Sequence, residues 1–173
     1  MNGERGGPQG EEVRVRDVRD EDLPTFFGQQ LDAEANRMAA FTPEDPADRE
    51  AFAARWEGIL RTEDISKRTV LVDGRVAGHV MSFDQDGRRE VTYWLGKAYW
   101  GRGIATAALR VFLRHEGERP IYARAAKDNA GSIGVLRKCG FEIRGEGRGF
   151  SNARGREVEE FVLVLEAGAS PGP

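Results

Sequence analysis

One cysteine and two histidines in 173 residues leave little scope for disulfide, metal or thiol chemistry. Cys139 has no second cysteine to pair with, so a reducing cytoplasm is the expected compartment. His79, His115 and Cys139 show no ligand-like spacing, and no metal is expected. A dominant charge is also lacking: 26 Lys plus Arg face 29 Asp plus Glu, a net charge of −3. That balance supplies no global field toward nucleic acid, and no nucleic-acid partner is expected. No apolar run approaches the ~20 residues a bilayer span needs, and Met1–Glu12 lacks the apolar core of a signal peptide. No membrane partner is therefore expected. Internal repeats are absent.

Hydrophobic residues at 39% and charged residues at 32% suit one soluble domain. We place that domain at residues 13–166, between flexible ends at 1–12 and 167–173 that are rich in Gly, Pro, Ser or charge. Val13, Val15 and Val18 around Arg14 and Arg16 predict a first strand. Asp20–Asp22 then precede a helical stretch carrying Leu23, Phe26, Phe27 and Leu31. After a break near Phe41–Pro46, the Asp45-Pro46 pair is expected to cap a helix bearing Phe52, Trp56, Ile59 and Leu60. Asp73-Gly74 and Asp86-Gly87 read as tight turns between strands at Thr69–Val72, Val76–Phe83 and Glu90–Leu95. Helices over Ile104–His115 and Asn129–Cys139 enclose a strand at Pro120–Ala125, and Gly140 stops the second helix. Strands at Phe141–Arg144 and Glu160–Leu165 close the chain, with GEGRGFSNARGR (145–156) as a flexible basic loop near them. Early hairpins followed by strand–helix–strand units predict an α/β (α+β) three-layer fold with a mixed sheet.

Tyr99-Trp-Gly-Arg-Gly-Ile-Ala-Thr106 sits where a strand should hand over to a helix. Glycines let the backbone turn and approach a ligand closely. The helix behind them leaves its first N–H groups unpaired at the positive end of its dipole, a site suited to a pyrophosphate. Arg102 adds charge and Thr106 a hydroxyl. A plain tight connection would use the same glycines. A P-loop is excluded because no Gly-Lys-Ser/Thr follows, and a dinucleotide fingerprint because the third glycine is missing.

These residues resemble the GNAT superfamily of N-acetyltransferases, whose pyrophosphate loop reads Gln/Arg-x-x-Gly-x-Gly/Ala. Trp100-Gly101-Arg102-Gly103-Ile104-Ala105 fits except at Trp100. Tyr93-Trp94-Leu95 ahead of Tyr99-Trp100-Gly101 is similar to the branch of ribosomal-protein N-terminal acetyltransferases, RimJ and RimL among them. A second segment, Asn129-Ala-Gly-Ser132 through Lys138-Cys-Gly140-Phe141, is similar to the family's Asn-x-x-Ser/Ala helix.

The resemblance implies a central sheet of about seven strands with helices on both faces and a splayed strand pair holding acyl-CoA. Acetyl-CoA, or another acyl-CoA, would be the co-substrate, with no metal. Trp94, Leu95, Trp100, Gly101, Arg102, Gly103, Ile104, Ala105, Thr106, Asn129 and Ser132 would bind it. An amine, such as a peptide N-terminus or a small molecule, would attack directly in a ternary complex. A homodimer fits the same resemblance.

Glu90 is the candidate base for the amine, directly or through water, against the plainer reading of an exposed strand residue. Many family members carry a tyrosine acid seven residues after the asparagine; here Leu136 stands there. Ser132 is the substitute acid, although the same hydroxyl serves to cap a helix turn. Asn129 has an N-cap role open to it as well. Cys139 reads as packing. Met38, Phe41, Phe52 and Trp56 fit either an acceptor cleft or a core. Two other readings stand beside amine acetylation: a non-catalytic acyl-CoA-binding regulatory domain, and an enzyme using a different donor such as succinyl-CoA.

Overall fold

The computed structural model describes Gly3–Arg5 and residues 10–172. Gly3–Arg5 pair as a short strand β1 with β2 (Glu12–Asp17), inside the segment expected to be flexible. Residues 1–2 and 6–9 of that segment lie outside the described residues. Two helices follow, α1 (Leu23–Gln30) and α2 (Ala33–Ala39), the second opened by Asp32 accepting from the Ala35 N–H at 2.8 Å. The third, α3 (Arg49–Arg61), starts later than expected. Asp48, not Asp45, caps it by accepting from Ala51 N at 3.0 Å, while Asp45 closes its own turn onto Ala47 N.

The Asp-Gly turns behave as read. Asp73 and Gly74 take φ values of 48° and 80°, and Asp86 and Gly87 take 50° and 76°. Positive φ at both central residues matches the twist of a two-residue hairpin. They join β3 (Ser66–Val72), β4 (Arg75–Gln85) and β5 (Arg88–Leu95) into an antiparallel meander. Helix α4 (Ile104–His115) then crosses over to β6 (Ile121–Ala126), parallel to β5. Helix α5 (Ala130–Lys138) leads to β7 (Glu142–Ser151) and β8 (Arg156–Leu165). Among the described residues the sheet has eight strands in the order β1-β2-β3-β4-β5-β6-β8-β7, seven of them longer than β1.

The last hairpin corrects the expected loop over 145–156, of which only the turn between Ser151 and Arg156 is left. Gly145, Gly147 and Gly149 alternate along β7, so one of its faces is bare. A Cβ at Gly147 would lie 3.2 Å from Glu160 Oε1, and one at Gly149 3.0 Å from the Phe41 ring. The glycines make room for neighbouring side chains rather than for motion. The C-terminal segment is likewise anchored: Pro171 is buried and its carbonyl accepts from Arg110 Nε at 3.2 Å. Pro173 lies outside the described residues.

Helices cover both faces. Leu109, Phe112 and Leu113 of α4 pack with Leu136 of α5 against Val13, Val70, Val80, Val91 and Leu163. On the opposite face Phe26 and Phe27 of α1 and Phe52 and Trp56 of α3 pack against Met81. Val80 and Met81 are neighbours on β4 that feed different cores, as strand alternation requires. Phe52 and Trp56 are thus core, whereas Met38 and Phe41 are 38% and 40% exposed. Asp22 fastens α1 to the sheet, accepting from both Arg16 amino groups (2.7 Å each) and from Thr69 Oγ1 (2.6 Å). No helix among the described residues is long and apolar enough to cross a membrane.

His79 of β4 sits between the rings of Phe26 (4.8 Å) and Trp56 (5.0 Å). Burial there, with the charge of Arg55 nearby, lowers its pKa to about 3. The folded chain therefore refuses a proton that the unfolded chain binds below about 6.5. Stability should decline as pH falls through that window, by about 1.5 kcal/mol between pH 6.5 and pH 5. Urea unfolding at the two pH values should show this loss, and His79→Asn should remove it. Asp22, lowered to about 2 because bonds from Arg16, Thr69 and Arg19 outweigh its burial, titrates below this range.

Candidate active site

The parallel strands β5 and β6 pair only at Arg89↔Ile121 and Glu90↔Tyr122. Beyond these positions they diverge. Each keeps its outer neighbour, β5 pairing with β4 up to Gly78↔Leu95 and β6 with β8 up to Ala126↔Glu160. The result is a V in the middle of the sheet, closed at Glu90 and open at Leu95. The Gly96 N–H donates to Ala77 O (2.9 Å), and the Trp94 carbonyl lies so close to Gly78 that a Cβ there would meet it at 1.9 Å. Even-numbered residues thus bond toward β4, and alternation turns the peptide groups of Tyr93 and Leu95 into the V. Trp100 Nε1 occupies the Leu95 carbonyl at 3.0 Å. The Leu95 N–H is left as the donor facing the opening.

The glycine loop lies beside that opening. Gly101 and Gly103 take φ values of 70° and 74°. Gly103 is the N-cap of α4 and has no side chain to cap it. The first intrahelical bond is Ala107 N to Gly103 O (3.1 Å), so the N–H groups of Ile104, Ala105 and Thr106 have no helical partner. Ile104 is wholly buried and Thr106 nearly so, which fixes the helix end in the core. Three aligned donors at a dipole's positive end suit a phosphate. Arg102 is placed differently from the sequence expectation. It pairs with Glu11, donates to Ala98 O (3.1 Å) and lies over the Tyr99 ring.

At the V's other wall, Asn129 caps α5, accepting from Ser132 N at 3.1 Å, and donates through Nδ2 to Met38 O at 3.2 Å. Ser132 Oγ meets the Tyr93 hydroxyl at 2.8 Å. Burial raises the Tyr93 pKa to about 12, although the Ser132 bond opposes the rise. Leu136, where a tyrosine was absent, is core. Cys139 is fully buried with its thiol pushed up to about 11 by burial, a poor nucleophile. Tyr93 was legible only as part of a motif; its partner lies 39 residues away.

Glu90, Thr92 and Trp94 face the side opposite α4, since Val91 and Leu95 belong to the α4 core. Glu90 is buried, and its Oε1 accepts from Arg124 Nε at 3.1 Å. Arg124 Nη1 also reaches Glu160 Oε1 at 3.2 Å. Desolvation works against the Arg124 charge, but Glu90 and Glu160 outweigh it and its pKa is raised. Two carboxylates share one guanidinium, leaving one net negative charge on this floor. Trp94 Nε1 is buried without a hydrogen-bond partner among the described residues. Among those residues no three His, Cys, Asp or Glu side chains converge as metal ligands would.

Residues 12–142 match the model of the acetyltransferase (GNAT) domain family. N-acetyltransferase p20 of Bacillus licheniformis is 30% identical over 105 residues, spanning 58% of this chain and 58% of that protein. Among solved structures, Mycobacterium smegmatis RimJ in complex with CoA-disulfide has a TM-score of 0.76 at 22% identity, over 90% of this chain and 82% of that one. Spermidine N-acetyltransferase from Vibrio cholerae, in complex with CoA and spermine, gives 0.76 at 14% identity over 89% and 95%. Ribosomal-protein-alanine N-acetyltransferase from Brucella melitensis gives 0.73 at 20% over 88% and 99%.

A valine at Gly103 must hold a left-handed φ at a cost of roughly 1–2 kcal/mol, with a side chain where a phosphate would approach. Gly103→Val should raise the Kd for CoA about tenfold in a calorimetric titration. An unchanged Kd would remove the loop from the phosphate site.

Proposed function

Because the chain belongs to the GNAT acetyltransferase family, we propose that it moves an acetyl group from acetyl-CoA to a primary amine by direct attack in a ternary complex. The observation that carries this reading is the V between β5 and β6, with the uncapped α4 terminus at its mouth. Pyrophosphate would rest on the N–H groups of Ile104, Ala105 and Thr106, with Gly101 and Gly103 allowing close approach. Trp100 and Trp94 flank the site. Pantetheine would run along the peptide groups of Tyr93 and Leu95, near Asn129. Arg102 contributes only after leaving Glu11.

The amine approaches from the Glu90 side, where the net negative floor draws an ammonium group. Glu90 takes the proton, through water, before the nitrogen attacks the thioester carbon. Charge then collects on the thioester oxygen, which the Leu95 N–H meets; one such donor is typically worth about 3 kcal/mol. As the carbon–sulfur bond breaks, the leaving thiolate takes a proton from the Ser132 hydroxyl, which Tyr93 orients and resupplies, and the second proton that the nitrogen sheds on becoming an amide returns to Tyr93 through solvent. The acceptor is an α-amine of a peptide N-terminus or a small amine, since an α-amino pKa near ~8 lies within reach of a carboxylate and water. A cytoplasmic setting keeps Cys139 reduced and acetyl-CoA at hand.

Arg124 on Glu90 is the feature that favours the other reading, an acyl-CoA-binding regulatory domain. Thiol release from acetyl-CoA across a panel of peptides and small amines separates the two, with succinyl-CoA as a parallel donor. Tight CoA binding without release on any amine would establish the regulatory reading.

Glu90→Gln should lower turnover more below neutral pH than above it, because amine already deprotonated at high pH needs no base. A uniform loss across pH would reduce Glu90 to a structural role. Tyr93→Phe leaves Ser132 without its phenol, a loss of about 1 kcal/mol, and should cut kcat about fivefold with CoA affinity kept. Equal kcat would remove Tyr93 from proton delivery.

A further inference from the structure

A cleft of about 570 Å³ opens between α2, the segment before α5 and the turn joining β7 to β8. Its charged lining comprises Arg37, Arg154 and Arg156 with Glu34 and Asp128, and Met38 supplies an apolar side. Arg154 is committed. Both its amino groups hold Asp128 (2.6 and 2.9 Å) and its Nε donates to Arg37 O (2.8 Å), with the side chain 7% exposed. Glu34 is taken by Lys97. Arg37 and Arg156 are exposed and have no carboxylate in ion-pair contact among the described residues. The cleft therefore carries two guanidinium groups outside any ion pair, although Asp128 also feels the Arg156 charge.

This cleft shares a wall with the proposed site. Met38 and Asp128 line it, and Asn129, next in sequence to Asp128, donates to Met38 O and caps Ser132. An acceptor bound across Asn129 would meet opposite fields at its two ends, negative at Glu90–Glu160 and positive at Arg37–Arg156.

From this arrangement we infer that the cleft receives a carboxylate carried by the amine acceptor, so that the preferred acceptor is a zwitterion or an acidic peptide rather than a polycation. Guanidinium suits this task because its fork matches the two carboxylate oxygens. This inference rests on the amine-acetylation reading for its chemistry, but the cleft's charge preference can be measured without turnover.

Three labelled peptides differing only at residues 2 and 3 (Asp-Asp, Ser-Ser and Lys-Lys) are titrated into protein saturated with CoA, with binding read by fluorescence polarisation. Free glutamate and alanine, as competitors, separate an amino-acid acceptor from a peptide one. Exposed charge pairs contribute modestly, so the acidic peptide should bind about tenfold more tightly than the basic one. The gap should shrink as sodium chloride rises, because exposed charges are screened. Arg37→Gln with Arg156→Gln should abolish the preference, and Arg37→Glu with Arg156→Glu should reverse it. An acidic preference that survives the double glutamate variant, or a basic peptide that binds best to the unaltered chain, overturns the assignment. Acetyl transfer to the same peptides is followed in parallel. Acidic preference in binding, with no transfer to these peptides or to any amine of the panel, would sink the enzymatic reading and leave the cleft standing.

Discussion

Everything at this site depends on β5 and β6 parting after two paired residues. A sheet resists such a gap because it strands backbone donors and acceptors that would otherwise pair. The gap persists because each strand is fully engaged on its outer side and because the root is stapled. On the α4 side, buried Arg89 donates to Glu116 (3.2 Å), Asp64 O (2.8 Å) and Ser66 Oγ (3.2 Å), while Ser82 donates to the same Glu116 oxygen. On the other side, Arg124 reaches from β6 to Glu90 on β5 and Glu160 on β8. A buried pair such as Arg89–Glu116 adds little net stability, and removing one partner is costly, whereas the Arg124 side chain is partly exposed. The contribution of both here is to fix where pairing ends.

The staple divides labour between the faces. Odd-numbered residues of β5 serve the α4 side: Val91 and Leu95 pack the core, and Tyr93 reaches Ser132. Even-numbered ones serve the opposite side, where Glu90 belongs to the ion network and Trp94 holds an indole N–H with no partner among the described residues. In the proposed reaction a single strand thereby presents backbone to the acyl-CoA and side chains to the amine. Period-two alternation achieves this without an insertion.

Local signals were legible in the chain and long-range ones were not. Asp-Gly pairs, the Gly-x-Gly connection and the Asn129 cap declare themselves because their physics is confined to four or five residues. The reach of β7 did not, since Gly145, Gly147 and Gly149 look like flexibility until Glu160 and Phe41 lie across them. Asp45 and Asp48 are equally good caps, and only the path of the chain chooses Asp48. Glu90 was legible as a strand carboxylate, but Arg124 and Glu160 sit 34 and 36 residues from their partners in this network. Tyr93 was hidden for the same reason. The phenol missing from the helix at Leu136 is present on the strand instead.

The end of α2 shows how the two faces are tied together. Ala40 is buried at φ 67° and ψ −52°, with Phe41 N donating to Ala39 O across it at 2.8 Å. That is a γ-turn of the strained hand, costing roughly 1–3 kcal/mol for a residue other than glycine. Four side chains hold it: Arg154 donates to Arg37 O, Asn129 to Met38 O, Ser151 to Ala40 O and Asn152 to Thr42 O. At about 1 kcal/mol each, they are enough to offset the strain. Three of the four come from the β7–β8 turn and its edge, the fourth from the cap of α5. Asn129 thus holds the end of α2 with its amide nitrogen and the Ser132 turn with its amide oxygen. The residue that caps the turn carrying Ser132, whose hydroxyl meets Tyr93, is therefore also bonded to the wall of the arginine cleft. On the proposed reading, one side chain thus ties the wall of the arginine cleft to the turn that carries Ser132.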